Sequence, residues 1–71
     1  MSQKHYLSKE KKAELEIELE NLKTVERREV ADKLGYARSL GDLSENAEYH
    51  DARNQQGEIE ARIEQLEETL K

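Results

Sequence analysis

The sequence predicts an all-α fold, a long antiparallel two-helix coiled-coil hairpin with an acidic tip. Three observations predict it: two apolar stripes at helical spacing, one short glycine-bearing break between them, and the composition of a charged helical rod. Apolar residues make up 34% of the chain and charged residues 41%, with no Trp, Phe, Pro or Cys, a balance found in long helices more than in compact globules. Disorder is the competing reading of such numbers, and it weakens because the apolar residues are periodic rather than scattered.

The first helix is expected over 8–40. Ser8 is a suitable N-cap, and Leu15, Leu19, Leu22, Val25, Val30, Leu34 and Ala37 return repeatedly to one face. Gly35 lies inside this run and costs an interior turn about 1 kcal/mol relative to Ala without ending it. The tip is expected over 41–44, where Gly41 can adopt positive φ and end the helix. A connection this short forces the two helices to run antiparallel.

The second helix is expected over 45–70. Ala52, Gln56, Ile59, Ile63, Leu66 and Leu70 alternate steps of four and three, which is a heptad seam. Gly57 stands beside Gln56, so the middle of the pair should pack less tightly than the Ile59 to Leu70 end. The stripes match in reverse: Leu15 faces Leu70, Leu19 faces Leu66 and Leu22 faces Ile63 in one constant register. A helix of about 33 residues at a rise of ~1.5 Å each makes a rod roughly 50 Å long. One seam gives modest stability, so support of the open end by another domain or a partner is expected.

All 71 residues form one small domain, which buries too little surface to enclose a small-molecule pocket and argues against self-contained enzyme chemistry. The absence of cysteine excludes disulfides and zinc thiolate sites but does not fix the compartment. The amino-terminal residues Met1 to Tyr6 lack the apolar stretch of a signal peptide or membrane span, so a cytoplasmic protein with no membrane partner is expected. A net charge of −5 is opposite in sign to the footprint of a duplex-binding protein. Nucleic acid would be met locally or through another protein.

Chemistry concentrates at the turn. Asp42, Glu45, Glu48 and Asp51 follow one another at steps of three, with no Lys or Arg from Gly41 to Asp51, while Arg38 and Arg53 flank the cluster. Carboxylates are hard oxygen ligands suited to Mg²⁺, which takes one or two of them and completes its octahedron with water and phosphate oxygens. Two carboxylates alone would hold it poorly, so the arrangement reads as a half-site completed by a partner. Asp42 and Glu45 also have the spacing of a capping box, and acids in a first helical turn complement the helix dipole. The two readings are compatible.

The remaining polar and aromatic residues carry weaker signals. His5 and His50 fall near opposite ends of the folded rod, which argues against a joint metal site and for solvated or packing roles. Tyr36 and Tyr49 straddle the turn, where packing near the tip competes with stacking on a base or on each other. Arg27, Arg28, Lys33, Arg38 and Arg53 give the tip-proximal half a positive face, either solvated or in contact with RNA.

The stretch Gly41 Asp42 Leu43 Ser44 Glu45 Asn46 Ala47 Glu48 Tyr49 His50 closely resembles the tip of the bacterial Gre-family transcript cleavage factors. The resemblance extends to Gln56 Gly57 and Arg62 Ile63 on the second helix, and to Leu15, Glu18 Leu19, Leu22 and Ala37 Arg38 on the first. It covers nearly the whole chain and is closer to the A type than to the B type. The amino-terminal domain of that family is an antiparallel coiled coil, in agreement with the periodicity.

The resemblance implies a transcription elongation factor that enters the secondary channel of a backtracked RNA polymerase and stimulates the polymerase's own RNA cleavage; the alternatives are a family member that occupies the channel and inhibits, or a generic coiled-coil interaction module. It implies that Asp42 and Glu45 help hold a second Mg²⁺ jointly with the polymerase, and that Ser44, Asn46 and Tyr49 shape the tip. Arg38 and Arg53 would contact RNA or polymerase. The implied partners are RNA polymerase and the nascent RNA 3′ end, with DNA met only indirectly, and the polymerase rather than this chain is the nuclease. Arg28 stands where many members have Pro, Asp51 where Ala is common and Glu58 where an apolar residue is frequent. Members also carry a carboxy-terminal FKBP-like domain, and no sequence for one follows Lys71; an excised domain or natural fragment with weak affinity for polymerase is expected.

Overall fold

A single helical arm leaves Ser8 because its hydroxyl accepts from the Lys11 amide at 3.0 Å and so satisfies one of the donors a helix start leaves free. The computed structural model describes residues 7–71, and the expectation for His5 lies outside them. The first arm comprises helix α1 (Lys9–Asn21), a π-helical turn (Leu22–Glu26) and helix α2 (Arg27–Ser39). After the tip comes the second arm, helix α3 (Ala47–Thr69). The arms pack side by side into a body of 50 × 25 × 13 Å, the length expected of one antiparallel hairpin.

The core is one seam. Leu15, Leu22, Val30, Leu34 and Ala37 are buried on the first arm and Ala52, Ile59, Ile63 and Leu66 on the second, with Leu19 and Leu70 packed at the margin. Among the described residues, three inter-arm ion pairs hold the antiparallel register. Glu18 receives Arg62 through Nε at 2.7 Å and Nη2 at 2.9 Å, Glu60 receives Arg27 through Nε and Nη2 at 2.8 Å each, and Lys23 reaches Glu67 at 3.3 Å. The two arginine pairs are fork-to-fork, which adds orientation even where solvent limits the energy.

Val25 departs from the expected stripe and is 46% exposed. The π turn is the reason. Leu22 and Val30 are eight residues apart, which in an unbroken α-helix would leave Val30 about 80° away from the face of Leu22. The wider turn, in which the Arg27 amide donates to the Leu22 carbonyl, absorbs one residue and brings Val30 back to the seam. Val25 is the residue displaced outward. The turn is braced by Thr24 Oγ1 donating to the Glu20 carbonyl at 2.8 Å and by Asn21 Nδ2 donating to Glu26 at 3.2 Å.

The same stretch is where the seam thins. Among the described residues, none is buried on the first arm between Leu22 and Val30 or on α3 between Ala52 and Ile59, and Gln56 is half-buried. A β-carbon built on Gly57 would meet nothing within 4 Å, so this glycine is not demanded by close approach of the arms. The looser centre anticipated around Gly57 therefore comes from missing apolar bulk on both arms.

The helix limits differ from expectation at the tip. The first arm ends at Ser39 with Leu40 as C-cap, and the second begins at Ala47, not at residue 45. Residues Leu43–Glu45 form a separate 3₁₀ turn. Asp42 makes no side-chain cap, so the expected capping box with Glu45 is absent. Asn46 takes the capping role, its Oδ1 accepting from the Tyr49 amide at 3.0 Å. Asparagine is among the strongest N-cap residues, and its extended backbone at φ −93° suits the position.

Candidate functional site

Two successive residues in the left-handed region turn the chain at the tip. Gly41 has φ +83° and Asp42 φ +42°; glycine meets no steric penalty there, and aspartate is one of the few other residues that visits the region. The amides of Leu40 and Gly41 close the first arm on the Ala37 and Arg38 carbonyls at 3.1 Å each. The Glu45 amide then donates to the Asp42 carbonyl at 3.1 Å, so the two acids bracket one tight turn.

Side chains fix this turn from three directions. Ser44 Oγ donates to Asp42 Oδ1 at 3.0 Å, occupying one oxygen of that carboxylate from within the turn. Asn46 Nδ2 donates to the Ala37 carbonyl at 2.6 Å and to the Gly41 carbonyl at 3.3 Å, tying the start of α3 to the end of α2. His50 Nε2 donates to the Ser44 carbonyl at 3.2 Å, and its ring lies edge-on to Tyr49 at 5.6 Å. An outward-facing turn is thereby held to the rod by groups one helical turn behind it.

Asp42, Glu45 and Glu48 line one open depression of about 440 Å³ together with Leu40, Gly41, Asn46 and Ala47. Asp51 does not join them and lines a separate groove between α2 and α3 with Glu48. Among the described residues, no three acidic or histidine side chains lie close enough together to hold a metal ion. Asp42 and Glu45 are exposed and offer hard carboxylate oxygens of the type Mg²⁺ takes. No membrane-spanning helix is present among the described residues.

The flanking residues divide into engaged and free. Tyr49 is half-buried against the core, and its hydroxyl accepts from Arg53 Nη1 at 3.2 Å. Arg27 is taken up by Glu60, and Lys33 donates to Gln55 Oε1 at 3.1 Å, so neither is a free member of a positive face. Arg38 forms no ion pair among the described residues. Tyr36 is 61% exposed and does not stack on Tyr49. The roles of Asn46 as cap and His50 as clamp were missed in the sequence. Asn46 had a signal, an N-cap residue directly before Ala47 and Glu48; His50 had none, because its partner is a backbone carbonyl in the turn.

Residues 5–71 match the family described as "Transcription elongation factor, N-terminal". The chain is 63% identical over 57 residues to the transcription elongation factor GreA of Acetivibrio thermocellus, a stretch covering 80% of this chain and 36% of that protein. It is 50% identical over 68 residues to GreA of Halalkalibacterium halodurans, with 96% of this chain and 43% of that protein covered. Against GreA of Thermoanaerobacter pseudethanolicus the identity is 55% over 71 residues, with 100% and 45% covered. The chain thus spans less than half the length of these curated relatives. No solved structure matches it significantly.

Proposed function

Because the chain belongs to the Gre family of transcription elongation factors, matching the family's amino-terminal region over residues 5–71, we propose that it acts on RNA polymerase through its tip. In this reading the rod enters the secondary channel and carries Asp42 and Glu45 to the 3′ end of backtracked RNA. The polymerase remains the nuclease, the chain contributes ligands and is no enzyme by itself, and the setting is cytoplasmic. One observation carries the reading: both carboxylates sit on an exposed, side-chain-clamped turn at the end of a rod 50 Å long.

Asp42 and Glu45 are the residues that would hold Mg²⁺ jointly with acids of the polymerase. When bound, the ion supplies a polarised water and charge neutralisation for phosphodiester hydrolysis. The chain's own part is positional. Ser44 orients the Asp42 carboxylate, Asn46 fixes the turn against both arms, and His50 holds the Ser44 carbonyl between the two acids. Like charge makes the sharing intelligible, since an acidic tip approaches an acidic centre only with a cation between them. Arg38, which has no ion pair among the described residues, is the flanking base best placed to meet RNA phosphate, whereas Arg53 is held by Tyr49.

The test adds the chain to halted, backtracked elongation complexes and measures release of short 3′ RNA fragments. Release should occur, and Asp42→Ala or Glu45→Ala should suppress it while helicity is retained. Unchanged cleavage with both variants would falsify the assigned roles. Slowed nucleotide addition with no fragment release would identify a channel plug instead.

A further inference from the structure

Behind the tip, Asp32, Lys33 and Tyr36 on α2 and Glu48, Asp51, Ala52 and Gln55 on α3 enclose an open groove of about 480 Å³. We propose that this groove is a docking site for an arginine side chain presented by a protein partner. The groove adjoins the Asp42 and Glu45 depression and shares only Glu48 with it, and the inference stands without the polymerase reading.

The floor and the rim have different chemistry. Ala52 in the lining is buried, and Tyr36 is 61% exposed. The rim carries three carboxylates, Asp32, Glu48 and Asp51, against one cation, Lys33, whose ammonium is already directed to Gln55 Oε1 at 3.1 Å. The net negative rim repels phosphate and so disfavours nucleic acid in this groove.

The arrangement of the acids separates the cations that could occupy it. A divalent ion needs several oxygens at one point, and among the described residues no group of three acids or histidines lies close enough for that. A guanidinium is planar, spreads its charge over five N–H donors and stacks on aromatic faces while its edge meets carboxylates. Tyr36 with acids on both arms matches that demand. A lysine ammonium is a compact, strongly hydrated charge that would gain less from the ring.

The test is a two-dimensional amide NMR titration of the chain with the peptide acetyl-Gly-Arg-Gly-amide, alongside its lysine and citrulline counterparts. Citrulline keeps the shape of arginine and removes the charge. Saturable shifts confined to Asp32, Tyr36, Glu48, Asp51 and Gln55 are expected with arginine, weaker ones with lysine and none with citrulline. Tyr36→Ala, at an exposed position, should weaken the arginine peptide by roughly threefold or more, and Asp32→Asn with Asp51→Asn should do the same. Shifts that never saturate, that spread equally over Glu10, Glu14, Glu64 and Glu67, or that are as strong with citrulline or lysine would overturn the proposal. Shifts at the groove that depend on chain concentration alone would assign it to a second copy of the chain and overturn it equally.

Discussion

The side-chain amide of Asn46 donates to the carbonyl of Ala37 at 2.6 Å, across the turn and nine residues back. Its other end caps α3 through the Tyr49 amide, so one side chain serves the end of the first arm and the start of the second. Asn46→Ala should therefore lose more than an ordinary cap, about 2 kcal/mol, from the cap and the freed carbonyl together. Asn46→Asp keeps the N-cap oxygen but sets a carboxylate oxygen against the Ala37 and Gly41 carbonyls, so it should also destabilise, by the lost donor and the new repulsion. Urea unfolding followed by circular dichroism ranks the two; equal stability of both variants and the parent would show that the turn holds without this bridge.

The glycines give opposite expectations. Gly57 sits in a regular helix with open space where a β-carbon would go, so Gly57→Ala should stabilise the hairpin by up to ~1 kcal/mol through helix propensity. Gly41 also has open space, but its φ of +83° places any L side chain in the left-handed region. Gly41→Ala should destabilise by about 1 kcal/mol. Thermal melts of the two variants should move in opposite directions, and a fall on Gly57→Ala would mean that the gap opposite it is filled in solution.

Much of this architecture was legible because it rests on periodicity. The alternation of Ala52, Ile59, Ile63 and Leu66 required a seam, Gly41 required a turn, and the rod length followed from the count of residues. Val25 was misplaced because a π turn changes the angular step without changing composition, so the sequence face and the buried face part at that residue. The capping box failed for a related reason. Asp42 and Glu45 have the right spacing, yet the left-handed backbone at Asp42 separates them from α3 and leaves the cap to Asn46. At the tip the residue types were readable, whereas the bonds from Asn46 and His50 to backbone carbonyls depend on a chain reversal that no local pattern encodes.

Acid should weaken the hairpin through its two arginine forks. The bond from Arg62 holds the Glu18 carboxyl below the usual glutamate range, and the bond from Arg27 does the same for Glu60. A carboxyl whose folded value is lowered contributes stability that is fully present above its unfolded value. That contribution is lost as pH falls through the folded one. Helicity should therefore decline as pH falls through and below the ordinary glutamate range, and the double variant Glu18→Gln with Glu60→Gln should show a shallower decline. Both pairs are partly exposed, so high salt should narrow the difference. An acid transition unchanged by the double variant would assign it to other carboxylates.

The π turn yields the sharpest structural test. Its extra residue is the reason that Leu22 and Val30 share a face at a spacing of eight, and Val25 is the side chain it expels. Deleting Val25 should convert the turn to plain α-helix and leave Leu22 and Val30 seven residues apart, a spacing that an α-helix places about 20° from alignment. The hairpin should keep its fold and much of its stability. Deleting Asp32, an equally exposed residue, offers no such relief: Val30 and Leu34 would then stand three apart and everything beyond would rotate by about 100° relative to the seam. That variant should lose most of its cooperative unfolding, as followed by circular dichroism at 222 nm. Comparable melts for the two deletions would mean that the arms slide past one another freely, and the π turn would then have no part in setting their register.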